Sequence, residues 1–248
     1  MLRDALHGLR TLLFHPGSFF ETHPPERSLG GAAVVVIVVA FLTTIAFVAV
    51  GEYMASQIDA TVTVTTMEPW PQSQCASFAE MNVSTPEPCT IDEPQTKQVS
   101  VGAKLRDAIY RRVPVLFFAT LLGWVLVAVA LHAVGAFTGS RGSFTATLSV
   151  TGWAMPAQLV QSAFGIVGIV VLFSGVDLAS DPELLADQLR RLTNTTGSAI
   201  GVLGALVGTA WQAYIWTHGL REGHDTSLGS AAAASALVAV LLFVVSLA

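Results

Sequence analysis

The chain has 248 residues, of which 52% are hydrophobic and 12% charged, with a formal net charge of -5 and a mean hydropathy of +0.62. Soluble domains run at about 45–50% apolar and about 25% charged residues, so this composition excludes an ordinary soluble domain and describes a polytopic membrane protein. No cluster of Lys and Arg is large enough to track a nucleic acid, which excludes that class of partner.

Residues 1–28 read as an amphipathic amino-terminal segment. Leu2, Leu6, Leu9 and Leu13 recur at helical spacing opposite Arg3, His7 and Arg10, the pattern of a short helix lying in the membrane interface. Pro16 ends that helix, and in PGSFFETHPPERS the rings of Phe19 and Phe20 are expected among the headgroups as interfacial anchors. Charges interrupt the leucines and no apolar stretch precedes a small-residue cleavage site, so the segment is not a secretory signal. Residues 29–51 carry no charge and are long enough to cross about 30 Å of hydrocarbon as a first span.

Residues 52–112 are polar and proline-rich, with a Thr-Val alternation from Thr61 to Thr65 that predicts a short strand. Cys75 and Cys89 lie in this loop at a separation that a disulfide can close, a ring of about 15 residues contributing about 3 kcal/mol. Residues 101–112 read as a second interfacial helix. A second span covers residues 113–137, with Pro114 near its start, where a missing amide hydrogen costs little. His132 is its one titratable residue, and without a carboxylate beside it the expected role is that of a hydrogen-bonded structural histidine.

The third apolar run, residues 144–173, is too long for one upright helix, and a kink is expected at Pro156. Gln158 and Gln161 are its most polar interior residues, and Gly165 with Gly168 offers a close-contact face. In the loop at 174–197, Ser180 and Glu183 have capping spacing, and Leu184, Leu185, Leu189 and Leu192 continue as an amphipathic helix. Residues 198–218 make the fourth span. Gly197, Gly201, Gly204 and Gly208 leave a strip without side chains along this helix, and Trp211, Tyr214 and Trp216 have the amphipathic rings expected at the membrane boundary. A polar turn at 219–229, with His218 and His224 read as solvated, leads to a fifth span at 230–247. The predicted fold is all-α: a bundle of five transmembrane helices with interfacial amphipathic helices and a small extracytoplasmic loop domain.

With the amino terminus in the cytoplasm, Arg3, Arg10, Arg27, Arg141 and Arg221 fall on the inner side, against Arg190 and Arg191 in the short outer loop. The long loop places Lys97, Lys104, Arg106, Arg111 and Arg112 against this assignment, although long loops count less. A disulfide at Cys75 and Cys89 would persist only outside the cytoplasm. The sequons at Asn82 and Asn194 are candidate glycosylation sites on that same face. A reduced thiol pair and two chance sequons are the alternative. The expected placement is thus the cell membrane, with the carboxyl terminus outside.

The five apolar cores contain no Asp, Glu, Lys or Arg, which argues against a pump or proton-coupled carrier. Ser149 and Ser162 are the only serines that could pair with His132 as a nucleophile, and neither sits in a nucleophile motif. His218 and His224 do not match a zinc spacing, and no phosphate loop or dinucleotide fingerprint occurs. No catalytic, metal or cofactor site is expected.

Three segments carry a family resemblance: LLFHPGSFFE before the first span, RGSFTATLSVTGWAMP leading into the third, and TAWQAYIWTHGLRE closing the fourth. With the five-span layout, the chain resembles the Yip (Ypt-interacting protein) domain family in its archaeal and bacterial form. The resemblance implies a cytoplasmic amino terminus, a five-helix bundle and no enzymatic activity. Eukaryotic members bind prenylated Rab GTPases and act in vesicle formation and membrane trafficking, through a longer amino-terminal segment than the 28 residues preceding the first span here. Two functions follow as expectations. One is a scaffold that shapes the bilayer or recruits other membrane proteins or small GTPase-like partners, as a single chain or an oligomer. The other is a permease or permease subunit with a path along Gln158, Gln161 and Trp153.

Overall fold

The computed structural model describes residues 2–80, 84–137, 139–174, 176, 179, 181–193 and 196–246. The helices are α1 (Leu2–Phe14), α2 (Pro16–Thr22), α3 (Leu29–Ser56), α4 (Gln72–Glu80), α5 (Val101–Phe137), α6 (Phe144–Ala154), α7 (Pro156–Phe173), α8 (Pro182–Thr193), α9 (Thr196–His224) and α10 (Leu228–Ser246). Two strands, β1 (Thr61–Met67) and β2 (Gln95–Ser100), and a short 3-10 helix at Glu87–Cys89 complete the regular structure of the described residues. Among these residues five helical stretches are long and apolar enough to cross a membrane: Leu29–Ser56, Val101–Phe137, Phe144–Phe173, Ala199–His224 and Leu228–Ser246. The protein is an all-α multi-pass membrane protein. Its Val- and Ile-rich runs, poor helix formers in water, are helical because a spanning segment must satisfy every backbone group internally.

The chain forms two compact units. The first comprises Met1–Val50, Ile109–Val176 and Arg191–Ala248. Its organising element is α9, which packs against α7, α10, α6 and α2. Its main core joins Leu12 of α1, Phe19 and Phe20 of α2, Val150 of α6, Ile215 and Leu220 of α9, and Ala234 and Val238 of α10. A smaller core of Val36, Val39 and Met155 takes in Leu121, Trp124 and Leu159. Large apolar side chains left outward, among them Phe41, Ile45, Phe118, Leu122, Leu241 and Val244, are normal where the solvent is lipid.

Close approach of α7 to α9 depends on two of the four glycines of the fourth span. A Cβ added at Gly204 would lie 2.5 Å from Cβ of Phe164, and one at Gly208 would lie 2.8 Å from Cβ of Gln161. At Gly201 and Gly165, by contrast, an added Cβ meets no described atom within 4 Å, so neither is a point of close approach. Gly168 is buried. The ladder between α6 and α7 is interrupted at Met155, where i to i+3 bonds replace the regular pattern: Met155 N donates to Gly152 O at 3.2 Å and Gln158 N to Met155 O at 2.9 Å. α5 runs unbroken through both the predicted interfacial helix and the second span. Pro114 therefore lies inside a helix rather than at its start, where it removes one backbone bond.

The second unit, Gly51–Ala108 with Asp177–Arg190, is built on the antiparallel pair β1–β2, in register from Thr61 opposite Ser100 to Thr65 opposite Thr96. Cys75 on α4 is disulfide-bonded to Cys89, and Trp70 N donates to Pro88 O at 3.0 Å, so two links hold this loop. Ile58, Ala60 and Leu185 form a small core with Val101 and Leu105, and Arg106 Nε meets Glu52 Oε2 at 2.8 Å. The cap of α8 is Asp181, whose Oδ1 accepts from the backbone N–H of Glu183 and Leu184, both at 3.0 Å. Ser180, Asn82 and Asn194 lie outside the described residues, as do the side chains of Leu2, Leu6, Leu189 and Leu192.

Gly208→Val should lower the thermal midpoint of the detergent-solubilised chain, with an overpacking cost of about 1–3 kcal/mol. Gly201→Ala, facing open space, should be neutral or gain up to about 1 kcal/mol from helix propensity. Replacing Cys75 and Cys89 by serine should make the segment from 61 to 100 more sensitive to limited proteolysis, by about 3 kcal/mol of local stability, with the spans unaffected.

Candidate functional site: a docked amino-terminal arm and a linked histidine pair

Helix α1 ends at Phe14, and Pro16 starts α2 at a position where the missing proline N–H is not needed. The resulting α1–α2 arm lies on α9. The last carbonyls of a helix have no partner within it. Here Trp211 Nε1 donates to Leu13 O at 2.8 Å and Tyr214 Oη to Phe14 O at 3.3 Å, two donors three residues apart on α9. The Phe14 and Trp211 rings meet edge to face at 5.6 Å.

The arm then buries both of its phenylalanines. Phe19, Phe20 and Trp216 were expected among the headgroups, but they are 3%, 1% and 2% exposed and pack inside the protein. The reason is local: Phe19 stacks on His23 at 4.4 Å and meets Trp153 edge-on at 4.9 Å, while Phe20 is seated over Gly219. A Cβ at Gly219 would lie 2.6 Å from Val150 and 3.0 Å from Phe20, and one at Gly223 would lie 3.1 Å from Pro25. Glycines four apart thus leave a groove on α9 that the arm fills. Trp153 closes the other side. Its Nε1 donates to Ser28 Oγ at 3.1 Å, the Ser28 and Ser149 hydroxyls share a bond of 2.9 Å, and its ring lies over Gly31. Of the rings expected at the boundary, Trp211 is partly exposed and Tyr214 is exposed.

Beside this arm lies a polar chain within the helices. Thr147 Oγ1 is 3.1 Å from His132 Nδ1 and 2.9 Å from His224 Nε2, and His224 Nδ1 is hydrogen-bonded to Ser140 Oγ. His224 was expected in a solvated turn. It is instead 3% exposed, because α9 continues through THGLREGH and the absence of a side chain at Gly142 makes room for the ring. Asp225, at φ 46, then turns the chain out of the helix in the left-handed conformation. The Thr147 hydroxyl has one proton, so it cannot donate to both imidazoles. At least one histidine must be its donor, and the two tautomers are therefore linked.

His132 is hydrogen-bonded, as a structural histidine would be, but its partner chain contains no carboxylate. Ser149 is bonded to Ser28, and Ser162 Oγ donates to Gln158 O at 3.1 Å, so neither serine is held by a histidine. No group of three metal-ligating side chains occurs among the described residues. Gln158 and Gln161 line a cavity of about 350 Å³ beside Pro156; Trp153, expected on that path, does not, being committed to the arm.

The arm's seat was hidden in the sequence because its parts are about 130 to 200 residues apart along the chain. The signal that could have found it was Gly219 and Gly223 at i, i+4 in a stretch otherwise read as a boundary. Phe20→Ala should cost about 3–5 kcal/mol and loosen the arm, seen as faster amide exchange over residues 12–23, with the exchange of α10 unchanged.

The three segments that meet here are those whose likeness to a family was read from the sequence. A family model described as the Yip1 domain matches residues 10–248. No curated protein and no solved structure matches the chain.

Proposed function

Because the chain belongs to the Yip1 domain family, we propose that this membrane protein is a non-enzymatic scaffold that shapes the bilayer or recruits partners in vesicle formation or trafficking. The observation that carries this reading is the docked arm. The arm is anchored by buried aromatics and by hydrogen bonds to its backbone, and it leaves Leu9 and Phe14 outward with Arg10 between them. An amphipathic surface held rigidly against the bundle can enter one leaflet or receive a partner without a large ordering cost. A small GTPase-like protein is the partner class the family suggests.

The same reading places the amino terminus in the cytoplasm of a cell-membrane protein. An odd number of spans puts the carboxyl terminus outside, and the loop holding the Cys75–Cys89 disulfide then lies in an oxidising compartment. The segment limits read from the sequence, 1–28, 29–51, 52–112, 113–137, 144–173, 174–197, 198–218, 219–229 and 230–247, are the proposed topology. Asn82 and Asn194 are the proposed modification sites of the outer face.

A permease is the second reading, and the cavity beside Pro156 favours it. It is the weaker of the two because interrupted helices in transporters occur in repeated pairs.

Leu9→Glu removes apolar surface from the arm's outward face and leaves its buried contacts. Reconstituted vesicles with this variant should lose any tubulation or remodelling seen with the unaltered chain, and cross-linked partners should fall severalfold. Unchanged morphology together with unchanged partner recovery would show that the arm serves packing alone.

A further inference from the structure

The polar groups at the α6–α7 break are not spent on one another. The cavity there lies between α5, α6, α7, α9 and α10, and its wall includes Gln158, Gln161, Gln212, Thr151, Thr209 and Trp216. Thr151 donates to Leu148 O at 3.0 Å or Thr147 O at 3.1 Å, and Thr209 to Ala205 O at 2.6 Å. These hydroxyls can therefore only accept from a ligand. The three glutamine carboxamides make no side-chain hydrogen bond to any described residue. Trp216 contributes only its ring to the wall, since its Nε1 is closed off from the space.

An unpaired donor in a hydrocarbon-like interior is costly, and lipid tails offer it nothing. Groups of both kinds thus converge on one space: carboxamide N–H donors, carboxamide and hydroxyl acceptors. Among the described residues no Asp, Glu, Lys, Arg or His lines the cavity, so a charged occupant would be left uncompensated at low dielectric. Met155, Val127 and Leu242 complete the wall with apolar surface, and the volume lies within the range of small-molecule sites.

We propose that this cavity is a binding site for an uncharged, hydroxyl-bearing molecule, whose oxygen accepts from a glutamine carboxamide N–H and whose proton is given to a glutamine carbonyl oxygen. A hydroxylated neutral lipid and a free polyol share that chemistry. The inference stands apart from the scaffold reading, since a site of this kind is compatible with any role for the arm.

The test uses the full chain in lipid nanodiscs, with thermal stability followed as monoolein or glycerol is titrated, and methyl oleate and oleate as hydroxyl-free and charged comparators. Monoolein should stabilise the unaltered chain saturably, and Gln161→Leu with Gln212→Leu, which removes two carboxamides, should weaken it about tenfold, as should Gln158→Leu. A saturable response to glycerol without one to monoolein, lost in the same variants, would identify the ligand as a free polyol and support the site. Equal responses to methyl oleate or oleate, or variants indistinguishable from the unaltered chain, would leave a water-filled cavity and overturn the proposal. Should the variants not fold, a monoacylglycerol with a photoactivatable group near its hydroxyls, used on the unaltered chain, decides the matter. Labelling at residues 155–161 or 209–216 that monoolein competes away supports the site. Labelling confined to the outward residues Phe118 and Leu122 overturns it.

Discussion

Everything in the first unit depends on how closely other segments can approach the backbone of α9. In water, apolar surface alone would draw helices together; in lipid the tails compete on equal terms, and packing at short range must supply the attraction. Gly204 and Gly208 admit Phe164 and Gln161 of α7 on one stretch of the helix. Gly219 and Gly223 admit Val150, Phe20 and Pro25 further along. A single helix is thereby in close contact with a neighbouring span at its middle and with a peripheral arm at its end. A bulky residue at any of these four positions would push apart surfaces now in close contact.

The membrane character, the five spans and the Cys75–Cys89 bond were legible in the sequence because each depends on composition or on short-range pattern. A long uncharged run must be helical in lipid whatever its neighbours. The glycine strip of the fourth span was legible only in part. Spacing identified the face, but whether a neighbour meets it depends on the course of α7, and so Gly204 and Gly208 are used while Gly201 is open. The fates of Phe19, Phe20, Trp216 and His224 were not legible. Aromatic rings near a span boundary suit headgroups and interior alike, and what decides between these is a groove formed by residues two hundred positions away in the chain. Similarly, residues 219–229 read as a polar turn because their charged and polar residues outnumber the apolar ones, yet the helical ladder runs into them as far as His224.

The buried polar groups fall into two kinds that a residue count would merge. Around His224 the partners close on one another, so the chain of Ser140, His224, Thr147 and His132 holds α5, α6 and α9 in one register. Linked tautomers make such a chain specific: displacing one member leaves the others with a donor or acceptor unused. Around Gln158 the groups remain open, which is the difference between a structural network and a site.

The way α9 holds the end of α1 has a consequence for how this architecture can vary. Trp211 and Tyr214 grip the carbonyl oxygens of Leu13 and Phe14, groups that every amino acid possesses. The clasp is therefore indifferent to which side chains α1 presents outward. Replacement of those side chains leaves the attachment intact, so the arm is a mount on which surface chemistry can diverge rapidly while the bundle beneath it stays the same.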